Sequence, residues 1–231
     1  MEWDHSTERL VRKPRKIDWT RSREWTAVRD ALLDADIAGI EDFGLFVNNT
    51  KYFEPSGFDE RSAAPVLLEL LPNLTDPVLV EIIGRYLRRP WIRPQGFEVI
   101  LAAFRQWGVR PEYEQAGWVL GHTLASAADN SHAMELLELA ADKQYGWRRA
   151  MIVDSLWRFK GVAPVQLLLL ELIADHDVCF HAMSSLRRTI GNEAAEPILA
   201  ELAATASDAQ VKSAADDQLK RIRKKLAKPS R

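Results

Sequence analysis

The chain has 231 residues, 47% hydrophobic and 28% charged, which is the composition of a globular protein and not of a disordered one. Its 31 basic residues are outnumbered by 33 acidic ones, so the molecule as a whole is no polyanion binder, and any nucleic-acid or acidic-lipid surface has to be local. The single cysteine, Cys179, excludes an intramolecular disulfide and a thiolate metal cluster.

Residues 1–5 are polar and lack the apolar core of a signal peptide, and the longest aliphatic run, Leu167 to Leu170, is far short of the ~20 residues a membrane span needs. The expectation is a cytoplasmic protein with no membrane association. Residues 1–60 do not repeat and are expected to form a basic arm and an N-terminal cap. The arm, to about Lys16, is rich in Arg and Lys without periodicity and is expected to be loosely ordered. Residues 18–34 are predicted to form a helix with Trp25, Val28 and Leu32 on one face. Residues 38–60, which include Phe43 and Phe46, are too aromatic for a free linker and suit a cap over the end of a larger array.

From 61 to 231 the apolar pattern is helical and broken at regular intervals. Five segments align on Leu87, Leu124, Leu156, Leu186 and Leu219, with separations in the thirties. Four residues earlier stand Ile83, Leu120, Ile152, Ala182 and Ala215; eight earlier stand Leu79, Ala116, Arg148, Val178 and Val211. This spacing puts one continuous apolar stripe on each segment, broken only by Arg148. A second apolar helix is predicted before each, near 62–72, 95–107, 131–142, 163–174 and 193–205. The punctuation agrees: Asp76-Pro77 supplies an N-cap and a first-turn proline, Gly161 and Gly191 stand where left-handed C-caps fall, and Pro164 opens the next helix. Connections this short make neighbouring helices antiparallel.

Asp177-Val178 through Leu186, then Ile190-Gly191-Asn192-Glu193-Ala194-Ala195-Glu196-Pro197-Ile198-Leu199, resembles the HEAT-like repeat, in the short variety also found in phycobilisome-lyase-related proteins. Residues 208–219 are similar. The resemblance is strongest over 145–226 and weaker over 62–126. It implies an all-α fold, an α-α superhelix built as a HEAT-like solenoid of about five hairpins with an irregular helical cap, and a binding scaffold in place of an enzyme.

The two residues after each aligned leucine are Arg88-Arg89, Ala125-Ser126, Trp157-Arg158, Arg187-Arg188 and Lys220-Arg221. Stacked repeats would turn these into a basic column. One reading is a docking strip for an acidic peptide, a phosphorylated segment or a nucleic-acid backbone. The plainer reading, which weighs more on the sequence, is that cations near helix C-termini complement the macrodipole and the unpaired carbonyls. The candidate contact residues are Arg88, Arg89, Arg148, Arg149, Trp157, Arg158, Arg187 and Arg188. Arg148 is included because a cation in an apolar stripe is odd unless it is open to solvent or paired.

The N-terminal cations interleave with Trp19 and Trp25, a composition that can grip single strands, though core tryptophans beside a solvated arm are the commoner case. Trp147, Arg148, Arg149, Asp154 and Trp157 supply the residue types with which some HEAT-like DNA glycosylases act on alkylated bases, but they form no specific motif. His176 and His181 are five apart and share no helix face, and no HExxH, phosphate-loop or nucleophile-elbow pattern occurs. The function expected is non-catalytic recognition of a protein or peptide partner, an acidic one being an option. The alternative is nucleic-acid binding or base excision, and a bilin-lyase-like chaperone is allowed by the resemblance alone. No cofactor and no metal site is expected.

Overall fold

The computed structural model describes residues 18–44, 57–93 and 95–227, together with the backbone of 2–4 and 9–11. Those two short pieces, β1 (Glu2–Asp4) and β2 (Arg9–Val11), pair antiparallel with Trp3 opposite Leu10. The arm therefore contains a ladder where only loose order was expected. Residues 12–17, with Arg12, Lys13, Arg15 and Lys16, and residues 45–56, with Phe46, lie outside the described residues.

Apart from that ladder the described chain is helical, and the helices form five consecutive hairpins. They are α2 (Glu60–Leu70) with α3 (Pro77–Leu87), α4 (Phe97–Trp107) with α5 (Glu114–Ala127), α6 (Ala133–Ala141) with α7 (Ala150–Ser155), α8 (Pro164–Leu172) with α9 (Cys179–Ile190), and α10 (Asn192–Thr205) with α11 (Ala209–Leu226). The second helices pack in sequence, α3 on α5, α5 on α7, α7 on α9 and α9 on α11, each also against its own partner, which makes a helical superhelix. The predicted stripe is what they bury: Leu79, Ile83, Leu87, Leu120, Leu124, Ile152, Leu156, Ala182, Leu186 and Ala215 are all essentially inaccessible.

The caps follow the sequence. Asp76 accepts from the backbone N–H of Val78 at 2.8 Å and Pro77 occupies the first turn of α3. Asp208 accepts from Gln210 and Val211 at 2.8 and 3.0 Å and starts α11. Gly191 ends α9 with φ +90°, a conformation that suits glycine, whereas Gly161 does not adopt a positive φ.

The third hairpin departs from the pattern. Residues Lys143–Arg149 form a 3-10 stretch broken at Gly146, α7 is only six residues long, and a further 3-10 turn, Leu156–Phe159, completes it. Arg148 thus stands before the helix begins, so the spacing that placed it in the apolar stripe does not apply.

One position before each aligned leucine is a polar or aromatic residue: Tyr86, Thr123, Ser155, Ser185 or Gln218. Two of them cross a joint of the array. The Thr123 hydroxyl donates to the Gly84 carbonyl of α3 at 2.7 Å, and Ser185 Oγ accepts the Trp157 N–H at 2.9 Å. Gln218 is fully buried with neither amide atom paired.

The first hairpin is covered by α1 (Arg23–Asp34), which buries Trp25, Val28 and Leu32 as its pattern predicts. Trp25 Nε1 donates to Asp76 Oδ2 at 2.8 Å, Glu24 accepts from the Thr75 and Asp76 N–H groups, and Phe43 stacks between Trp19 and Tyr86 at 5.2 and 5.3 Å. Trp19 and Trp25 are accordingly packing residues. At the other end α11 exposes Gln210, Lys212, Ser213, Asp216 and Asp217, the polar outer face a terminal repeat requires. No described helix is long and apolar enough to cross a membrane.

Candidate partner-binding face

The residues after the aligned leucines lie at the ends of α3, α7 and α9 and within α11, and most are engaged by the protein itself. Arg89 makes a two-pronged ion pair with Glu60 at 2.6 and 2.7 Å. Arg158 donates to the carbonyls of Ala125 and Ala128 at 2.5 and 2.7 Å, which are the orphan acceptors at the C-terminus of α5. Arg187 donates to Asn192 Oδ1 at 3.1 Å. Arg188 reaches Asp154 at 3.5 Å and lies over the ring of Trp157, 5.4 Å from its centroid. Trp157 itself is 36% exposed. Arg88 Nη1 stands 3.2 Å from His122 Nδ1.

Two candidate residues are corrected by burial. Arg149 is fully buried: Nη1 donates to the Ala140 carbonyl at the end of α6, and Nη2 pairs with Asp175 at 2.9 Å. Arg148 is 7% exposed and donates through Nε to the Gly108 carbonyl at the C-terminus of α4. Its stem fits because α5 presents glycine there. A Cβ at Gly117 would stand 2.7 Å from Arg148 Cδ, and one at Gly121 would stand 2.6 Å from the Arg148 carbonyl oxygen. Neither arginine offers a surface to a partner. Both close the ends of first-row helices.

Four residues that bear on this face escape an alignment built on the leucines. Arg93, in the loop after α3, donates to the Ser126 carbonyl at 2.5 Å, so the C-terminus of α5 is met by arginines from both neighbouring repeats. His122 lies on α5 between Arg88 and Trp118, whose ring is 5.7 Å away and edge-on. Trp147 packs 6.2 Å from Trp118, and Asp154 faces Arg188. The signal available for His122 and Asp154 is that both stand two residues before the aligned leucine, where α3 has Arg85.

Burial, with the positive charges of Arg88 and Arg85 nearby, pushes the His122 imidazole down to about 4. His122 is therefore neutral at pH 7. Since arginine only donates, Nδ1 is the acceptor and the ring proton sits on Nε2.

Asp154 and Trp157 are both engaged by Arg188, and Trp147 packs beside Trp118. His176 pairs with Asp208 at 2.8 Å at the start of α11. Cys179 is buried, which raises its thiol pKa and disfavours the nucleophilic thiolate. Among the described residues no three His, Cys, Asp or Glu side chains converge on a metal-sized site. Comparison with protein-family models, with curated proteins and with solved structures finds no match for the chain.

Proposed function

We propose that the protein is a HEAT-like, non-catalytic interaction scaffold acting in the cytoplasm, and that it holds a partner protein across the ends of its second-row helices. The observation that carries this reading is the exposed Trp157 ring with the Arg188 guanidinium stacked on it, in one row with the half-buried cations Arg88, Arg158 and Arg187. An accessible tryptophan next to arginines is the residue set that dominates binding energy in protein interfaces. Arg89 belongs to the rim, because its charge is already matched by Glu60.

The test is capture from lysate, with and without nuclease, by the tagged wild-type chain and by the double variant Trp157→Ala/Arg188→Glu, with recovered proteins quantified by mass spectrometry. A protein enriched on the wild type and reduced at least several-fold on the variant supports the scaffold. Equal recovery on both sinks it, and recovery that disappears with nuclease transfers the face to the nucleic-acid reading.

A further inference from the structure

The cation row is interrupted in sequence at Ala125-Ser126, yet it is continuous in space. Arg93 reaches the Ser126 carbonyl from the preceding loop, and Arg158 reaches the Ala125 and Ala128 carbonyls from the following repeat. A helix C-terminus offers roughly half an elementary negative charge. Two whole cations are set against it here, so about one and a half positive charges are left over. Among the described residues neither arginine has a carboxylate within ion-pair distance, and the same holds for Arg88 and Arg187 on either side. All four are half-buried, so their remaining N–H groups are incompletely hydrated. The Arg158 guanidinium is held below its ordinary pKa by burial and then by the charge of Arg93, which marks the two charges as close neighbours.

We propose that Arg93 and Arg158 together form the anchor for a carboxylate in an extended acidic segment of the partner protein, which runs across the ends of α3, α5, α7 and α9. This deepens the scaffold reading and rests on it. An oxyanion in this notch would take the guanidinium donors the helix carbonyls leave free and neutralise the surplus charge. The spacing of the row defines the ligand further. Packed helices lie about 8–10 Å apart, and an extended chain in the polyproline II conformation advances about 3.1 Å per residue with three residues per turn, so every third side chain of such a segment returns to the same face and meets the next repeat. The anions already in the row select against a polyphosphate. Glu60 and Asp154 stand among the cations, and a backbone charged at every nucleotide would face them, whereas a peptide with spaced acids would not.

The experiment is fluorescence polarisation at low salt on the full chain, with three labelled probes. One is a peptide of about fifteen residues with Glu at every third position between Ser and Gly. The second has the same composition with its Glu residues grouped at one end, and the third is a single-stranded oligonucleotide of equal length. The proteins are the wild type, Arg93→Gln, Arg158→Lys and the remote control Arg105→Gln, with melting temperatures measured alongside. Arg158→Lys keeps the charge but loses the fork that spans two carbonyls; if it melts early, Arg93→Gln, which removes one carbonyl contact, carries the result. The expected outcome is binding of the spaced peptide that weakens tenfold or more in Arg93→Gln and Arg158→Lys and is unchanged in Arg105→Gln. Equal binding by Arg93→Gln and wild type overturns the anchor, and equal binding of the grouped peptide overturns the register. Tighter binding of the oligonucleotide assigns the row to nucleic acid. No binding of any probe, with capture still lost in Trp157→Ala/Arg188→Glu, overturns the acidic segment and leaves the scaffold standing.

Discussion

Arg149 and Arg188 are both paired arginines, and their surroundings give them opposite weights. Arg149 is inaccessible and satisfies the Ala140 carbonyl and Asp175, whose side chain is only 11% exposed, while Arg188 pairs with Asp154 in the open. Removing one member of a buried pair strands the other, so Arg149→Ala should cost about 3–5 kcal/mol in urea unfolding, and Arg188→Ala about 1 kcal/mol or less. His122 gives a pH signature. Its folded pKa lies below the value of about 6.5 in the unfolded chain, so its contribution is complete above pH 6.5 and is lost as pH falls toward 4. Unfolding free energy should drop on the order of 2 kcal/mol over that window, and His122→Gln should flatten the slope. The sequence makes such residues visible as oddities without giving their cause. Arg148 looked like a solvent-facing or paired cation; Gly146 before it, and Gly117 and Gly121 on the helix it packs against, were the signs of a broken helix closely approached.

The helices were legible because their punctuation is local. Asp76, Pro77, Asp208 and Gly191 act on their own turns, and the structure places helix ends where those residues stand. Tertiary demands were not legible. Asp76 caps α3 with Oδ1 and receives the buried Trp25 indole N–H with Oδ2, a coupling of residues 51 apart. Asp76→Ala should therefore destabilise by about 2–3 kcal/mol, more than the ~1 kcal/mol of a lost cap, because an indole donor is left unpaired. Asp76→Asn keeps one acceptor, enough for the helix cap, but turns an NH2 donor toward the indole N–H, so it should recover no more than about half of the loss in thermal melts. The short α7 was hidden for a related reason: its 3-10 flanks keep an apolar pattern that reads as a full helix, while the contacts that hold the irregular turns, those of Arg148, Arg149 and Arg158 among them, come from other repeats or helix ends.

At the scale of the molecule, five hairpins in sequence order follow from a recurring pattern with matching turns, and an N-terminal cover was expected from the apolar face of residues 18–34 and the aromatic content of residues 38–60, of which 45–56 lie outside the described residues. The face across the repeats was only half legible. A net charge of −2 conceals a local surplus of cations, and a register drawn on leucines omits Arg93, which comes from a loop and restores the row where Ala125-Ser126 interrupts it. Which cations are neutralised depends on contacts between helices, Arg89 with Glu60 within the first hairpin and Arg188 with Asp154 between repeats, and no single helix contains both partners.

The buried hydroxyls between second-row helices have a mechanical consequence. A slide of one helix past the next by a single residue rise, about 1.5 Å, would break the Thr123–Gly84 bond at one joint and the Ser185–Trp157 bond at another. Those hydroxyls act as detents, and the joints α3–α5 and α7–α9 are stiff to shear. At the joint between α9 and α11 the matching residue, Gln218, makes no bond, so the joint lacks a buried detent and is tied at its edge by His176 with Asp208 and Gln210. Amide protons of α11 should exchange with solvent at least tenfold faster than those of α5, and Gln218→Leu, which removes the unpaired amide, should narrow that gap. A ligand laid along the array would then meet fixed spacings between the first and second and between the third and fourth repeats, and a looser one at the fifth.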